Sequence, residues 1–522
     1  MANETTPTPS LFLGRKAIYT DAPEITRENV ASIVERTYID HLINRDQMQA
    51  LFKYEKGDQP IFYRVKSIRP EINVPACANY ARLITDFKVS YEFSSPIMFV
   101  QRARDDYRKS YPKQDDKRIS TLNEMLFEQS KPAKDYYMAG DFKRCGLGYM
   151  AALPKKEMLE TEVAPFDLLV LNPLNTYIIR TNDAYRKKIA AVTYTTDIDT
   201  QTNHFTVYTE NRVYQFDSIT QNPVESVNPI GLIPIVEFPN NLSRQACFEA
   251  VIPLMDALNI VNSDRVNDVA QYVQSILWLN NCKVSDEQTE ELRNGGFIQT
   301  KDTADGRQAN VTYVTAPLNQ QETQSLVGYM YSQILEIAGV PGRESSTGGN
   351  TGSAILLSNG WQLAETQAKA TEIMISECEQ ELLRVILAII RNTPSMPEDL
   401  KKLQVSDVLI KFPRNRGYDL VSRTSALSNM INIGIDPEKA ISVVDIFDDA
   451  QQAAMDSLER IDDILFKKTE TSTSASTEPD LYGDGNTVGG VRKSGEYQTE
   501  NLQRQEIREN AQVQAKHSSG VS

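Results

Sequence analysis

The chain has 522 residues and a formal net charge of −15. Its apolar and charged fractions, 40 % and 24 %, are those of a globular protein with a substantial core. Acidity on this scale excludes a protein that grips nucleic acid by neutralising phosphates, but not one that lets DNA slide past without sticking.

Residues 1–26 are rich in Pro and Thr near the start and read as a flexible N-terminal arm. Over 27–52, Val30, Ile33, Val34, Tyr38, Leu42 and Ile43 recur at helical spacing, and Tyr54 to Asp58 read as a turn. Residues 76–89 predict a second helix, and 117–150 one or two more, ending near Gly146 or Gly148. From Phe166 to Glu237 the period changes to two. His204 to Thr209 and Arg212 to Phe216 flank Glu210-Asn211 as a hairpin. A helix is expected from Glu249 to Leu279, ~46 Å long at 1.5 Å per residue. Its apolar stripe is Val251, Leu254, Met255, Leu258, Val261, Val266, Val269, Val273 and Ile276. Asp256, Asn259, Ser263, Asn267, Gln271 and Gln274 lie off it. Two short strands, Phe297 to Thr300 and Val311 to Thr315, then lead to a return helix over 320–338. Its cap is Asn319, and its stripe is Leu326, Met330, Ile334 and Ile337. Gly339 and Pro341 stop it, and a polar loop follows. The next helix runs from Ser353 to Asn392, with Gly360 inside it as a bend. A strand over 404–413 and helices near 422–432 and 437–467 complete the pattern. The tail 468–522 reads as disordered.

Catalytic motifs are missing. The three histidines, His41, His204 and His517, are far apart, and HExxH, CxxC, GxSxG and GxxxxGK[ST] do not occur. Gly339 to Ser346 has glycines like a phosphate loop, but no Lys, and it follows a helix instead of a strand. Asp264 and Asp268, at i, i+4, could share a metal or an acid–base role. A solvated or subunit-facing polar edge is the simpler reading. Cys77, Cys145, Cys247, Cys282 and Cys378 read as reduced core thiols. Tyr136-Tyr137 and Tyr329/Tyr331 read as packing rather than base-stacking platforms. No signal peptide is seen. The longest apolar run, Leu382 to Ile390 broken by Arg384, is far short of the ~20 residues of a membrane span. No metal, cofactor or membrane partner is expected.

Several segments resemble the portal proteins of tailed bacteriophages, particularly of siphophages. They are Arg45 to Ile61, Asn79 to Tyr91 (with Ser90 where Gly is common), Pro173 to Ile179, Gly231 to Asn241 followed by Phe248 to Asn259, and Gly352 to Gly360. Their order and spacing over 27–465 carry the likeness. It implies an α+β protomer of a dodecameric ring with a β-rich wing, long antiparallel stem helices, a small α/β clip, a helical crown and a disordered C-terminal tail. The wing would be 27–248 with part of 353–435, and the stem 249–280 and 318–340. The clip would be 281–317, the tunnel loop 341–352 and the crown 436–467. Implied partners are the terminase large subunit, the major capsid and scaffolding proteins, a head-completion adaptor, and double-stranded DNA in the channel. ATP hydrolysis would belong to the terminase. The implied DNA-channel residues are Gly342, Arg343, Glu344, Ser345, Ser346, Thr347, Gly348, Gly349, Asn350, Thr351 and Gly352. Their chemistry suits the role. Glycines allow the backbone to change shape, hydroxyl and amide groups touch phosphates without reading bases, and Arg343 with Glu344 leaves almost no net charge to stall sliding. The alternatives are an oligomeric interaction scaffold outside viruses and a nucleic-acid enzyme, which would need clustered acids or histidines.

Overall fold

A computed structural model describes residues 14–67, 70–102, 117–158, 161–219, 222–273, 276–280, 310–314, 320–342, 360–414 and 420–444, with a few isolated positions up to 457. The chain divides into two units, Met1–Ala453 and Ala454–Ser522, and every element below belongs to the first.

Residues 14–26, expected within a flexible arm, are packed. Strand β1 (Ile18–Thr20) pairs in parallel with β5 (Thr176–Thr181). Arg15 is fully buried, its Nη2 2.6 Å from Glu249 Oε1 and its Nη1 donating to Cys145 O at 3.2 Å. Helix α1 (Val30–Lys56) is longer than its apolar pattern, because the stripe Val30, Ile33, Val34 continues through buried Thr37, His41 and Asn44 to Met48, Leu51 and Tyr54. The expected turn at Tyr54 therefore waits until Gly57, whose φ of 101° suits glycine.

Helix α2 (Tyr80–Phe93) starts four residues later than expected, at an Asn79 cap whose side chain accepts from the Arg82 N–H at 3.2 Å. Helices α3 (Lys117–Glu128) and α4 (Lys131–Cys145) follow. Helix α4 stops at Gly146, one of the two expected ends, whose φ is 91°, and strand β3 (Leu147–Pro154) follows at once. It pairs with β10 (Ile235–Pro239) and β4 (Phe166–Leu171), and its two faces enter separate clusters, Met150 and Ala152 with Met138 and Phe142, and Leu147, Tyr149 and Ala151 with Met48, Ile178 and Ala191, so Leu147 to Ala152 are all buried and no alternation marks them as a strand.

The larger sheet has the order β1-β5-β6-β7-β8-β9, where β6 is Lys188–Thr196, β7 Asn203–Tyr208, β8 Arg212–Asp217 and β9 Val224–Val227. The β7–β8 hairpin has the expected register, with Thr206 opposite Gln215, and the turn closes by Thr209 N–H to Arg212 O at 2.9 Å. One face packs on α1 through Tyr177, Ile179, Val192, Phe205 and Val207.

A 3₁₀ turn at Glu249–Val251 opens helix α5 (Ile252–Val273). The helix ends before the expected Leu279, because Ile276–Asn280 is strand β11, paired antiparallel with β12 (Asn310–Val314). Cross-strand hydrogen bonds there outweigh the helical spacing of Val273 and Ile276. The expected strand Phe297 to Thr300 lies outside the described residues. Helix α6 (Gln320–Ala338) returns and packs on α5. Helix α7 (Trp361–Asn392) begins after Gly360, which is its cap at φ 80°, not a bend within it. Residues 353–359 lie outside the described residues. The second half of α7 is the spine of the main core, with Leu382, Leu383, Val385, Ile386, Leu387, Ile389 and Ile390 buried against α4, β3 and β10. A short helix α8 (Glu398–Lys401) leads to β13 (Val408–Lys411), which pairs with β2 (Met98–Gln101). Helices α9 (Leu420–Asn432) and α10 (Pro437–Val444) follow. The fold is α+β. No described helix is long and apolar enough to cross a membrane.

Candidate functional site: a helix pair with a buried polar ladder

Helix α5 buries a different face from the one its sequence advertises. Val251, Met255 and Leu258 are buried as expected, but Val266 and Val269 are 43 % and 51 % exposed. Asn259, Ser263 and Asn267, which lie off the apolar stripe, are buried instead. They face residues 73–78, a strap crossing the helix. The Ala78 N–H donates to Asn259 Oδ1 at 2.8 Å, the Ala76 N–H to Ser263 Oγ at 2.8 Å and the Val74 N–H to Asn267 Oδ1 at 2.7 Å. Asn267 Nδ2 returns a bond to Val74 O at 3.4 Å, as does Ser263 Oγ to Ala76 O at 3.4 Å.

Helix geometry explains the match. Four helical residues rise about 6 Å and two extended residues about 6.7 Å, so an i, i+4, i+8 row keeps step with every second residue of an extended chain. The row stands in for a neighbouring strand, and each buried polar group in it has a partner. Pro75, which has no N–H, falls between rungs. At the top of the row Asn259 Nδ2 donates to Gln59 Oε1 at 2.6 Å, and buried Gln59 reaches Tyr54 O and Asn79 Oδ1, each at 3.3 Å.

On α6, Met330, Ile334, Leu335 and Ala338 are buried, whereas Leu326, Tyr329 and Ile337 are 47 %, 64 % and 50 % exposed. Of the expected packing tyrosines, Tyr136, Tyr137 and Tyr329 are exposed, and Tyr331 lies against Tyr80 with ring centroids 5.5 Å apart.

Of the expected channel residues, Gly342 is described and exposed, while Arg343 to Gly352 lie outside the described residues. The chain's two ends around them are held close together. At Gly339 (φ 65°) a Cβ would stand 2.0 Å from Gln367 Oε1, and at Gly360 a Cβ would stand 3.6 Å from Pro341 Cα. Gln367 accepts from Lys88 Nζ at 2.5 Å, and burial holds the Lys88 ammonium below its usual range. Trp361 packs on Phe87 and Tyr91, at centroid distances of 6.0 and 5.9 Å. The Tyr91 hydroxyl donates to Glu365 Oε2 at 2.8 Å, and Arg414 pairs with Glu365 at 3.0 Å. Both ends are thus anchored on α2.

The candidate carboxylates do not gather. Asp264 is paired with Arg64 at 2.9 Å and Lys66 at 3.5 Å, a half-exposed ion pair. Among the described residues no group of His, Cys, Asp or Glu has the geometry to hold a metal ion. His41 is buried, its Nε2 2.9 Å from Leu174 O and its ring stacked on Tyr177, and burial lowers its pKa to about 4. His204 lies against Asp217 at the surface. Burial pushes the Cys145 thiol up to about 12. Cys77, Cys145, Cys247 and Cys378 are free thiols. Sequence reasoning missed the ladder. The only signal was the i, i+4, i+8 recurrence of short amide and hydroxyl side chains within an apolar helix.

Residues 36–464 match the family described as phage portal protein, SPP1 Gp6-like, and the chain belongs to that family. Its class is therefore a phage portal or connector, structural and non-enzymatic, with its place at a vertex of the particle. No curated protein matches the chain. Among solved structures it is similar to the neck of a native GTA particle computed with C12 symmetry, at 12 % identity and a TM-score of 0.37, over 76 % of this chain and 92 % of that one. It is also similar to the neck of an empty GTA particle computed with C6 symmetry, at 13 % identity and a TM-score of 0.37, over 77 % and 93 %.

Proposed function

We infer that the chain forms a closed ring, dodecameric in the virion, at the single capsid vertex through which double-stranded DNA is packaged and ejected. The observation that carries this is the family match over 36–464. In this reading residues 249–280 and 318–340, which include α5 and α6, are the stem, and residues 281–317 form the clip. The crown spans 436–467. The segment 341–352 lines the channel and touches passing phosphates weakly and without sequence preference. The acidic balance of the chain supports sliding over gripping. The clip docks the terminase large subunit during packaging and the head-completion adaptor afterwards. The major capsid and scaffolding proteins surround the wing, and ATP hydrolysis is the terminase's.

Electron microscopy and native mass of the purified full chain test the reading. Closed rings with a central channel are expected, and a single copy at micromolar concentration refutes it. Replacing 283–315 by a short linker should preserve assembly in part and abolish both dockings, and unchanged capture of both partners removes the clip assignment.

A further inference from the structure

We propose that Arg414 is a positioning residue for the channel segment: it bridges Glu365 and Glu372 of α7 against Tyr91 of α2, and so fixes the point at which the chain re-enters the body at Gly360. This rests on the channel role proposed for 341–352 and adds the side chain that holds its mounting.

The first turns of α7 bury little apolar surface. Between Trp361 and Glu372 the buried residues are Ala364 and Ala368, whereas the second half of the helix buries a run of Leu, Ile and Val. Two methyl groups hold a helix end weakly, so polar and aromatic contacts decide where this end sits.

Arg414 supplies them from 49 residues beyond Glu365, just after β13. Its side chain is 4 % exposed. Nη2 donates to Glu365 Oε1 at 3.0 Å, and Nη1 pairs with Glu372. These carboxylates are about two turns apart on one face of α7, and a planar guanidinium fork can hold both where a lysine holds one. The guanidinium carbon lies 5.8 Å from the centre of the Tyr91 ring, within reach of a cation–π contact. The Tyr91 ring also stacks on Phe87 at 5.5 Å, and its hydroxyl takes the second oxygen of Glu365. Tyr91 therefore meets Trp361, Glu365 and Arg414 at once. Burial pushes the Glu372 carboxyl up and Arg414 draws it back, so loss of Arg414 leaves two half-buried carboxylates facing each other. Lys369 reaches Glu365 at 3.7 Å, but from an exposed position. Arg414 also heads the chain that leads into α9, so one side chain ties the mounting of the channel segment and the root of α9 to the same face of α2.

The test uses the full chain. Arg414→Met keeps the length of the side chain and removes the fork. Hydrogen exchange at 361–368 should quicken roughly 10- to 100-fold, the loss of a charged hydrogen bond. The effect should reach Gly339, which lies against Gln367. Adding Glu372→Gln should restore part of the protection by relieving the repulsion, which a loss of packing alone would not do. Tyr91→Phe removes only the hydroxyl and should act in the same direction, less strongly, should Arg414→Met fail to fold. Arg391→Met, at the other end of α7, should leave 361–368 unchanged. Arg414→Met should also slow packaging in vitro at unchanged native mass. If exchange at 361–368 stays as in wild type in Arg414→Met, or in Tyr91→Phe where the first variant does not fold, the bridge does not hold the mounting and the proposal is wrong. If exchange quickens and packaging is normal, while the double valine change at Gly348 and Gly349 slows it, Arg414 does not position the segment for its role. If both variants package normally, the channel reading itself fails.

Discussion

Replacing Asn259 by alanine tests the polar ladder most directly. The change removes the acceptor for the Ala78 N–H and the donor to Gln59 Oε1, bonds of 2.8 and 2.6 Å. Asn259 and Gln59 are 1 % and 0 % exposed, so bulk water is not at hand to replace either bond. Gln59 Oε1 keeps the Cys77 thiol as a donor at 3.2 Å, so the Ala78 N–H is the group left without a partner, at a cost of about 1–3 kcal/mol. The loss is local, because the strap is held here by hydrogen bonds to side chains and not by a strand. Hydrogen exchange of the amides in residues 72–79 is the suitable assay, since it reads local opening even within an assembly. At 1.4 kcal/mol per tenfold, exchange at Ala78 should quicken by roughly 5- to 150-fold. Val74, at the far rung, should respond less. Asp264→Asn, which removes a half-exposed ion pair, should change stability by no more than about 0.5 kcal/mol. If Asn259→Ala leaves strap protection unchanged, the ladder does not hold the strap and the account of α5 is wrong.

Three further outcomes follow from the same geometry. His41 has a folded pKa of about 4 against an ordinary 6.5. Its contribution is complete above pH 6.5 and falls away as pH drops towards 4, where the unfolded chain binds a proton the folded one refuses. Denaturant titrations across this window should lose about 3 kcal/mol, and His41→Phe should flatten that slope. Arg15→Met strands Glu249 in a fully buried ion pair and should cost about 3–5 kcal/mol in denaturant unfolding, with Arg15→Met/Glu249→Gln milder than the single change. Replacing Gly348 and Gly349 together by valine should slow DNA packaging in vitro and leave the native mass unchanged, while removing Arg343 should slow it only modestly. Packaging at the normal rate by the double valine variant would refute the channel role of 341–352.

Much of the architecture is legible in the sequence where local signals agree. The spacing of Val30, Ile33 and Val34, the Glu210-Asn211 turn and the stop at Gly339 each name their element. Errors arise where a distant partner decides. Asn259, Ser263 and Asn267 resemble a solvated edge until the backbone some 181 to 193 residues away supplies their bonds. The end of α5 is set by β12, beyond a long insertion. Leu147 to Ala152 show no alternation because both faces of β3 are covered. Gly360 reads as a bend because helical spacing is visible on both sides of it, and its left-handed φ is not. The portal family was legible from the order of segments such as Gly231 to Asn241 and Phe248 to Asn259. Only Gly342 of the candidate channel residues is among the described residues.

The two ends that meet at Pro341 and Gly360 have an engineering consequence. A chain that leaves and re-enters at one point imposes no span on what lies between, so its length is decoupled from the positions of α6 and α7. Closing a loop costs only about 0.6 kcal/mol more for each doubling of its length. Between the anchors, residues can be added, removed or exchanged for a foreign sequence while Gln367, Lys88 and Trp361 keep the mounting in place. Under the channel role proposed for 341–352, the aperture would be an adjustable fitting on a fixed frame, and its bore could evolve without redesign of the subunit.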